Sequence, residues 1–367
     1  MSQRLRLIVS LLMFACLSAT SATTSTASEQ SLSLTAGVSS VYNNNFLEYS
    51  NNQLDRFKAG TNPQRFQLES TDDAIFSPAV SLQWELDQGG GRRHALRAHW
   101  DGDFHGTNPS ADYRSYSARW TESFGGGKRL AVGYGRMDNF YVRQLRDEDS
   151  PLVGDARWAR AAFDQDAITA SWRQKMGKDM SMGLAYRYEK RDYVPAFVER
   201  SSTANQGELS VGWDGLPNRG EIDLSAGYRQ TKADADDGDA IVGDDDDVSY
   251  HGILAGATGR MQLSRSKMMR WTGDAGIDLA TRSYDSDLGA VIDPFHFERS
   301  DMLIGFEVGV RASYKRWDAR AFGRIENNNA DLGTGAAPTS DSGSYNKNLV
   351  GLELSWSGDL WKSGKSN

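Results

Sequence analysis

The sequence predicts an all-β fold: a transmembrane antiparallel up-and-down β-barrel of about fourteen strands, with twelve or sixteen as the neighbouring even counts. Three observations predict it. Apolar and polar residues alternate through one segment after another from residue 32 to residue 356, the period of a strand with two unlike faces. The connections alternate between short and long, as they do when one rim of a barrel carries tight turns and the other carries loops. Tryptophans recur near the short-connection ends of rising and falling segments alike. A soluble core has no reason to hold them at one level, whereas a bilayer interface does.

The chain of 367 residues opens with Arg4 and Arg6, then an apolar run over 7–17 and a stretch of small residues in which Ser25-Thr26-Ala27 fits a cleavage site. Residues 1–27 read as a secretory signal peptide, too short to cross a bilayer as a helix. Residues 28–356 read as the barrel and 357–367 as a short polar C-terminal tail. Cys16 is the sole cysteine, so the mature chain has no disulfide and must draw stability from burial or from a closed hydrogen-bonded sheet. Net charge is −8 and mean hydropathy is −0.58. No later stretch approaches the length of a helical span, yet a barrel is compatible with this average because only alternate residues meet lipid. The acidic balance and the lack of a long basic stripe argue against nucleic acid as a partner.

The alternating sets run in order along the chain. Strand 1 places Leu32, Leu34, Ala36, Val38 and Tyr42 on one face, and strand 2 Phe76, Val80, Leu82, Trp84 and Leu86. Strand 3 has Leu96, Ala98, Trp100 and Phe104; strand 4 Tyr116, Ala118, Trp120 and Phe124; strand 5 Leu130, Val132 and Tyr134. Strand 6 has Ile168, Ala170 and Trp172, and strand 7 Met180, Met182, Leu184, Tyr186 and Tyr188. Strand 8 has Leu209, Val211 and Trp213; strand 9 Ile222, Leu224, Ala226 and Tyr228. Strand 10, near 248–263, is the least clean, with Tyr250 and Leu254 on one face. Strand 11 has Trp271, Ala275, Ile277 and Leu279, and strand 12 Met302, Ile304, Phe306, Val308 and Val310. Strand 13 has Trp317, Ala319, Ala321 and Ile325; strand 14 Val350, Leu352, Leu354 and Trp356. The segment 142–166 has room for an extra hairpin or a short plug. Pro78 lacks a donor, so strand 2 is expected to begin near it or to carry a bulge. Glu122 falls on the lipid face, where a charge near the interface costs only about 0–1 kcal/mol. Trp84, Trp120, Trp172, Trp213, Trp271, Trp317 and Trp356 are the expected membrane aromatic belt.

The other parity is polar. Arg97, His99, Asp101, Asp103, Arg187, Glu189, Asp223, Arg229, Asp278, Arg282, Glu307, Arg311, Arg320, Arg324 and Glu353 fall on it, and they are the expected pore-lining residues. Charges of this kind need water or partners. About fourteen strands enclose more space than side chains fill, since eight already leave just enough. The expectation is a hydrophilic pore of mixed charge, with weak ion selectivity and a field across the lumen. The alternative is a lumen closed by ion pairs and inward-folded loops.

Little sequence chemistry suggests catalysis, and no cofactor is expected. His99, Asp101, Asp103 and His105 alternate along one strand; neighbours on one face are about 6.6 Å apart, close enough for an acid–base pair or a shared metal. The set resembles omptin-type outer-membrane proteases in having Asp and His at a barrel mouth, but the second Asp-x-His half is missing. The loop between Asp234 and Asp247 is strongly acidic. An EF-hand alignment on Gly238 puts Ala233 at the first ligand position and fails, leaving either a solvated loop or nonspecific divalent-cation binding there.

Tyr42-Asn43-Asn44-Asn45-Phe46, closing strand 1, resembles the Tyr-(Asp/Asn)-x-Asn-x-apolar stretch of several porin-like families of Gram-negative outer membranes. The alternating stretch 348–356, ending in Trp356, resembles the barrel-assembly signal, with Trp361 in the tail as a second aromatic able to close it. The resemblance implies an outer-membrane location, contact with outer-membrane lipid and the barrel-assembly machinery, and passive transport of a small hydrophilic solute by a monomer. Two other functions stay open at this point. One is an outer-membrane enzyme built on the His99–His105 segment, and the other a surface scaffold or export component with a closed lumen, acting through long loops such as 44–73.

Overall fold

The structure, a computed structural model, describes residues 29–147, 150–234, 248–266, 268–286, 296–332 and 343–363. The expected signal peptide and all but Asp234 of the acidic loop lie outside the described residues. Fourteen strands form one closed ring in which each pairs antiparallel with its chain neighbours and the last pairs with the first. They are β1 (Glu29–Asn43), β2 (Asp73–Asp87), β3 (Arg93–His105), β4 (Tyr113–Phe124), β5 (Lys128–Arg146), β6 (Trp158–Lys175), β7 (Met180–Tyr193), β8 (Ser202–Leu216), β9 (Gly220–Ala233), β10 (Tyr250–Arg265), β11 (Arg270–Tyr284), β12 (Ser300–Tyr314), β13 (Trp317–Asp331) and β14 (Tyr345–Lys362). One α-helix, α1 (Asn51–Lys58), lies in the β1–β2 loop. Closure pairs the backbone groups of every strand and leaves no sheet edge, which is how strands cross a bilayer.

The two parities carry unlike chemistry. The register places Leu82, Ala98, Ala118, Tyr134, Ala170 and Leu184 in the outward set. Leu184, Leu209, Ile253, Ile325 and Leu352 are each more than half exposed on the outside of the ring. Apolar area costs about 25 cal/mol per Å² in water, so an outer face of this kind calls for lipid. On β7 it runs from Met180 to Tyr188 and then gives way to Lys190 and Asp192. That is about 26 Å along the strand, close to the apolar band of an outer-membrane barrel.

Several local expectations need correction. Pro78 neither starts β2 nor bulges it. It is a Cα partner of Val38 on the β1 side, while the β2–β3 ladder omits Ser77 and Pro78 and resumes in the same register at Ala79↔Asp101. The ring absorbs one missing donor without slipping. The described residues of 142–166 form neither a new hairpin nor a plug. β5 and β6 continue upward to Arg146 and Trp158, with register shifts between Met137 and Phe140 and between Tyr141 and Arg143. Tyr250 and Leu254 share a face, but it is the inner one; Ile253, the partner of outward Tyr228, starts the lipid face of β10, continued by Met261 and Leu263. Residues 357–362 are strand rather than tail, since β14 runs to Lys362 and Trp361 pairs with Leu32. Glu122 is buried and takes a two-nitrogen contact from Arg92, at 3.1 and 2.9 Å, from the neighbouring turn. A charged partner, and not the interface alone, accounts for it.

Candidate functional site: a charged lumen beneath an inward-folded loop

The polar parity forms the concave side of the ring. Its side chains reach over intervening strands, as they do where a curved wall brings them together. Arg173 on β6 meets Asp223 on β9 at 2.8 Å, and Arg320 on β13 meets Asp274 on β11 at 2.5 Å.

The expected lining residues resolve into distinct groups. On β11–β14, Arg320 holds three carboxylates: Asp274, Glu307 at 2.6 Å and Glu353 at 3.5 Å. Arg324 pairs with Asp278 at 2.8 Å and Glu326 at 3.1 Å. Arg311 faces Arg320 across the ladder and has no ion pair among the described residues. On β7–β9, Glu189 is ringed by Arg187 at 2.5 Å, by Arg191 and by Arg229. The Arg282 guanidinium lies 5.6 Å above the Tyr250 ring. Beside these pairs is a recess of about 410 Å³ in the wall, lined by Glu208, Asp223, Thr258, Asp278, Glu307 and Arg324.

The β3 segment does not assemble as one site. His99 bonds Ser81 Oγ through Nδ1 at 2.7 Å and lies 3.1 Å from Asp101 through Nε2. Asp101 accepts from Ser115, and Asp103 accepts from Ser77 and Tyr113. His105 packs against Phe46 with the rings tilted and their centroids 5.1 Å apart, and Asp112 lies 3.6 Å from its Nδ1. Both carboxylates of the segment accept from hydroxyls of neighbouring strands. Among the described residues, no group of three or more His, Cys, Asp or Glu side chains could hold a metal ion.

The mouth carries the feature that period-two reading could not supply. Residues 44–72 fold inward as a strap. Asn45 is almost fully buried; its side-chain nitrogen donates to the carbonyls of Tyr49 and Asn346, and its Oδ1 accepts from the Tyr49 amide. Ser50 and Gln53 cap α1 reciprocally, satisfying free amides at its start. Beneath the helix, Leu47, Tyr49 and Phe66 form a buried cluster with Ala111 and with Tyr141 of β5. The strap's far contacts span the ring. Glu48 meets Lys347 of β14 at 2.7 Å, the Leu47 carbonyl accepts from Arg143 of β5, and Arg65 lies over Trp158 of β6. Burial pushes the Glu48 carboxyl up, but the charges of Lys347, Arg143 and Arg282 outweigh it and hold it below the ordinary value. Burial raises the Tyr49 phenol.

An inner aromatic row also went unread. Tyr113, Phe140, Phe163 and Tyr193 stand on four consecutive strands, each ring centroid 5.1 Å from the next. Their parity with Asp103 and Arg191 is the sequence signal that places them on the inner face. The tryptophans Trp84, Trp120, Trp172, Trp213, Trp271 and Trp317 all lie on the outward parity, within four residues of a short-turn strand end. Trp356 is directly across from Trp317.

No protein-family model matches the chain, and no curated protein matches it either. Solved structures similar to it include a bacterial polysaccharide outer membrane secretin, at 12% identity over 89% of this chain and 97% of that chain, with a TM-score of 0.46. An anion-selective porin from Comamonas acidovorans matches at 11% identity over 90% and 100%, with a TM-score of 0.42. Pseudomonas aeruginosa OprD matches at 9% identity over 90% and 96%, with a TM-score of 0.37. At these values the likeness goes no further than the barrel architecture and assigns no activity.

Proposed function

We propose that the chain is a porin-like channel of the bacterial outer membrane, passing small hydrophilic solutes by passive diffusion. The observation that supports this best is the division of one closed ring into an apolar outer parity and a charged inner one. Charges such as Asp223, Asp278 and Glu353 remain well exposed on the inside, which is favourable only if water fills the lumen. In this reading the exposed members of the expected lining set, such as Arg97, Asp223, Asp278 and Glu353, face the permeating solute, while the buried Glu189 and its arginines brace the wall. The seven tryptophans anchor the periplasmic interface, residues 1–27 are removed on export, and the barrel-assembly machinery inserts the remainder as a monomer. No catalytic step is assigned, since the His99–Asp103 carboxylates already serve as hydroxyl acceptors.

A second reading, a barrel closed at its mouth and acting through its loops, is favoured by the strap at 44–72. Swelling of proteoliposomes carrying the refolded chain separates the two. Rapid swelling in isotonic small sugars or amino acids is expected for the channel. Swelling no faster than in protein-free liposomes would transfer the assignment to the closed-mouth reading.

A further inference from the structure

Six of the lumen arginines described above, Arg173, Arg187, Arg191, Arg229, Arg320 and Arg324, are neutralised by carboxylates. Two that face each other are not. Arg97 on β3 and Arg119 on β4 are direct partners in the ladder, both inward and both exposed. Neither has an ion pair among the described residues. Each is held only by a hydroxyl: Arg97 donates to Ser81 at 2.7 Å, and Arg119 donates to Ser171 at 3.0 Å. Arg143 and Arg282 also lack an ion pair, but they are engaged by the Leu47 carbonyl and the Tyr250 ring, and Arg129 and Arg311 each have as direct partner an arginine that is itself carboxylate-paired, Arg173 and Arg320.

Like charges directly opposite in a ladder repel. The repulsion becomes attraction when an anion lies between them, and planar guanidinium forks suit the oxygens of phosphate or carboxylate. Gly133, the partner of Arg119 on β5, brings no side chain into the space beside the pair. Seven steps around the ring from β4 stands β11, where Asp274 and Asp278 are already paired with Arg320 and Arg324, in contrast to the uncompensated pair on β3 and β4.

We propose that Arg97 and Arg119 form an oxyanion subsite on the lumen wall, a waypoint for solutes that carry a phosphate or carboxylate group. The proposal deepens the channel reading and rests on it for its purpose, but it can be tested without transport. The full chain, refolded in detergent micelles at low chloride, is titrated with inorganic phosphate and separately with succinate, and binding is followed by calorimetry. The expected result is saturable binding of one or both, the tighter one naming the class. It should weaken at least about tenfold in R97Q/R119Q, because charge-assisted hydrogen bonds are lost, and recover in part in R97K/R119K. Absence of saturable binding to the native chain would overturn the subsite, as would equal affinity in a folded R97Q/R119Q barrel. Oxyanion binding by a barrel that passes no solute would leave the subsite in place and overturn only the channel.

Discussion

Asn45 shows how much one amide can organise. Its side chain ties three backbone groups, two in the strap and one on β14, and it is almost completely buried while doing so. Removing it leaves buried polar backbone groups without partners, at a cost of about 1–3 kcal/mol. Asn45→Ala is therefore expected to lower the opening free energy of the strap amides by about that much, measured by hydrogen exchange, while β-sheet amides stay protected. Unchanged exchange over 44–72 would show that the apolar cluster alone holds the strap. Glu48 gives a pH dependence. Its folded pKa lies below the ordinary 4.5, so its tie to Lys347 contributes stability that is complete above that value and fades as pH falls through the lower folded one. Protection of the wild-type strap amides, measured against their intrinsic exchange rates, should fall as pH drops below about 4.5, and Glu48→Gln should flatten that component. Identical pH profiles in the two proteins would remove Glu48 as the cause.

At the scale of elements, the strap is an addition to the barrel and not part of its closure. Asn43 and Asp73 are ladder partners, so a short turn can replace everything between them. Replacing 46–70 with a tight turn is expected to leave a folded barrel with an open conductance at least about twofold higher; an unchanged conductance would mean that the strap does not narrow the path. The strands themselves were legible in sequence because each shows lipid and water on alternate residues, and that constraint repeats all around the ring. What was illegible lay where the constraint stops. Above the membrane, β5 and β6 obey no lipid rule, so the upper part of their bulged extension, within 142–166, left room for a hairpin or a plug. The strap's inward fold depends on partners such as Asn346, Lys347 and Arg143, distant in sequence. Arg119 was readable in principle, standing between outward Ala118 and Trp120, but nothing local said that its neighbour would be Arg97.

For the whole molecule, the distribution of charge matters more than its sum. The chain carries a net −8, yet the described lumen sets two facing arginines without ion pairs on β3 and β4 and its densest carboxylates on β11–β14. On the channel reading, a field across the lumen is expected to orient a dipolar solute while selectivity for simple ions stays weak. Fourteen strands leave room for such a solute, and the apolar exterior places the ring in a bilayer. The claim on which all of this depends is that the lumen conducts. Residues 28–367, refolded and added to a planar bilayer, should give steady single-channel openings of reproducible size, with reversal potentials near zero in a potassium chloride gradient. A barrel that folds and inserts but carries no current would contradict the account.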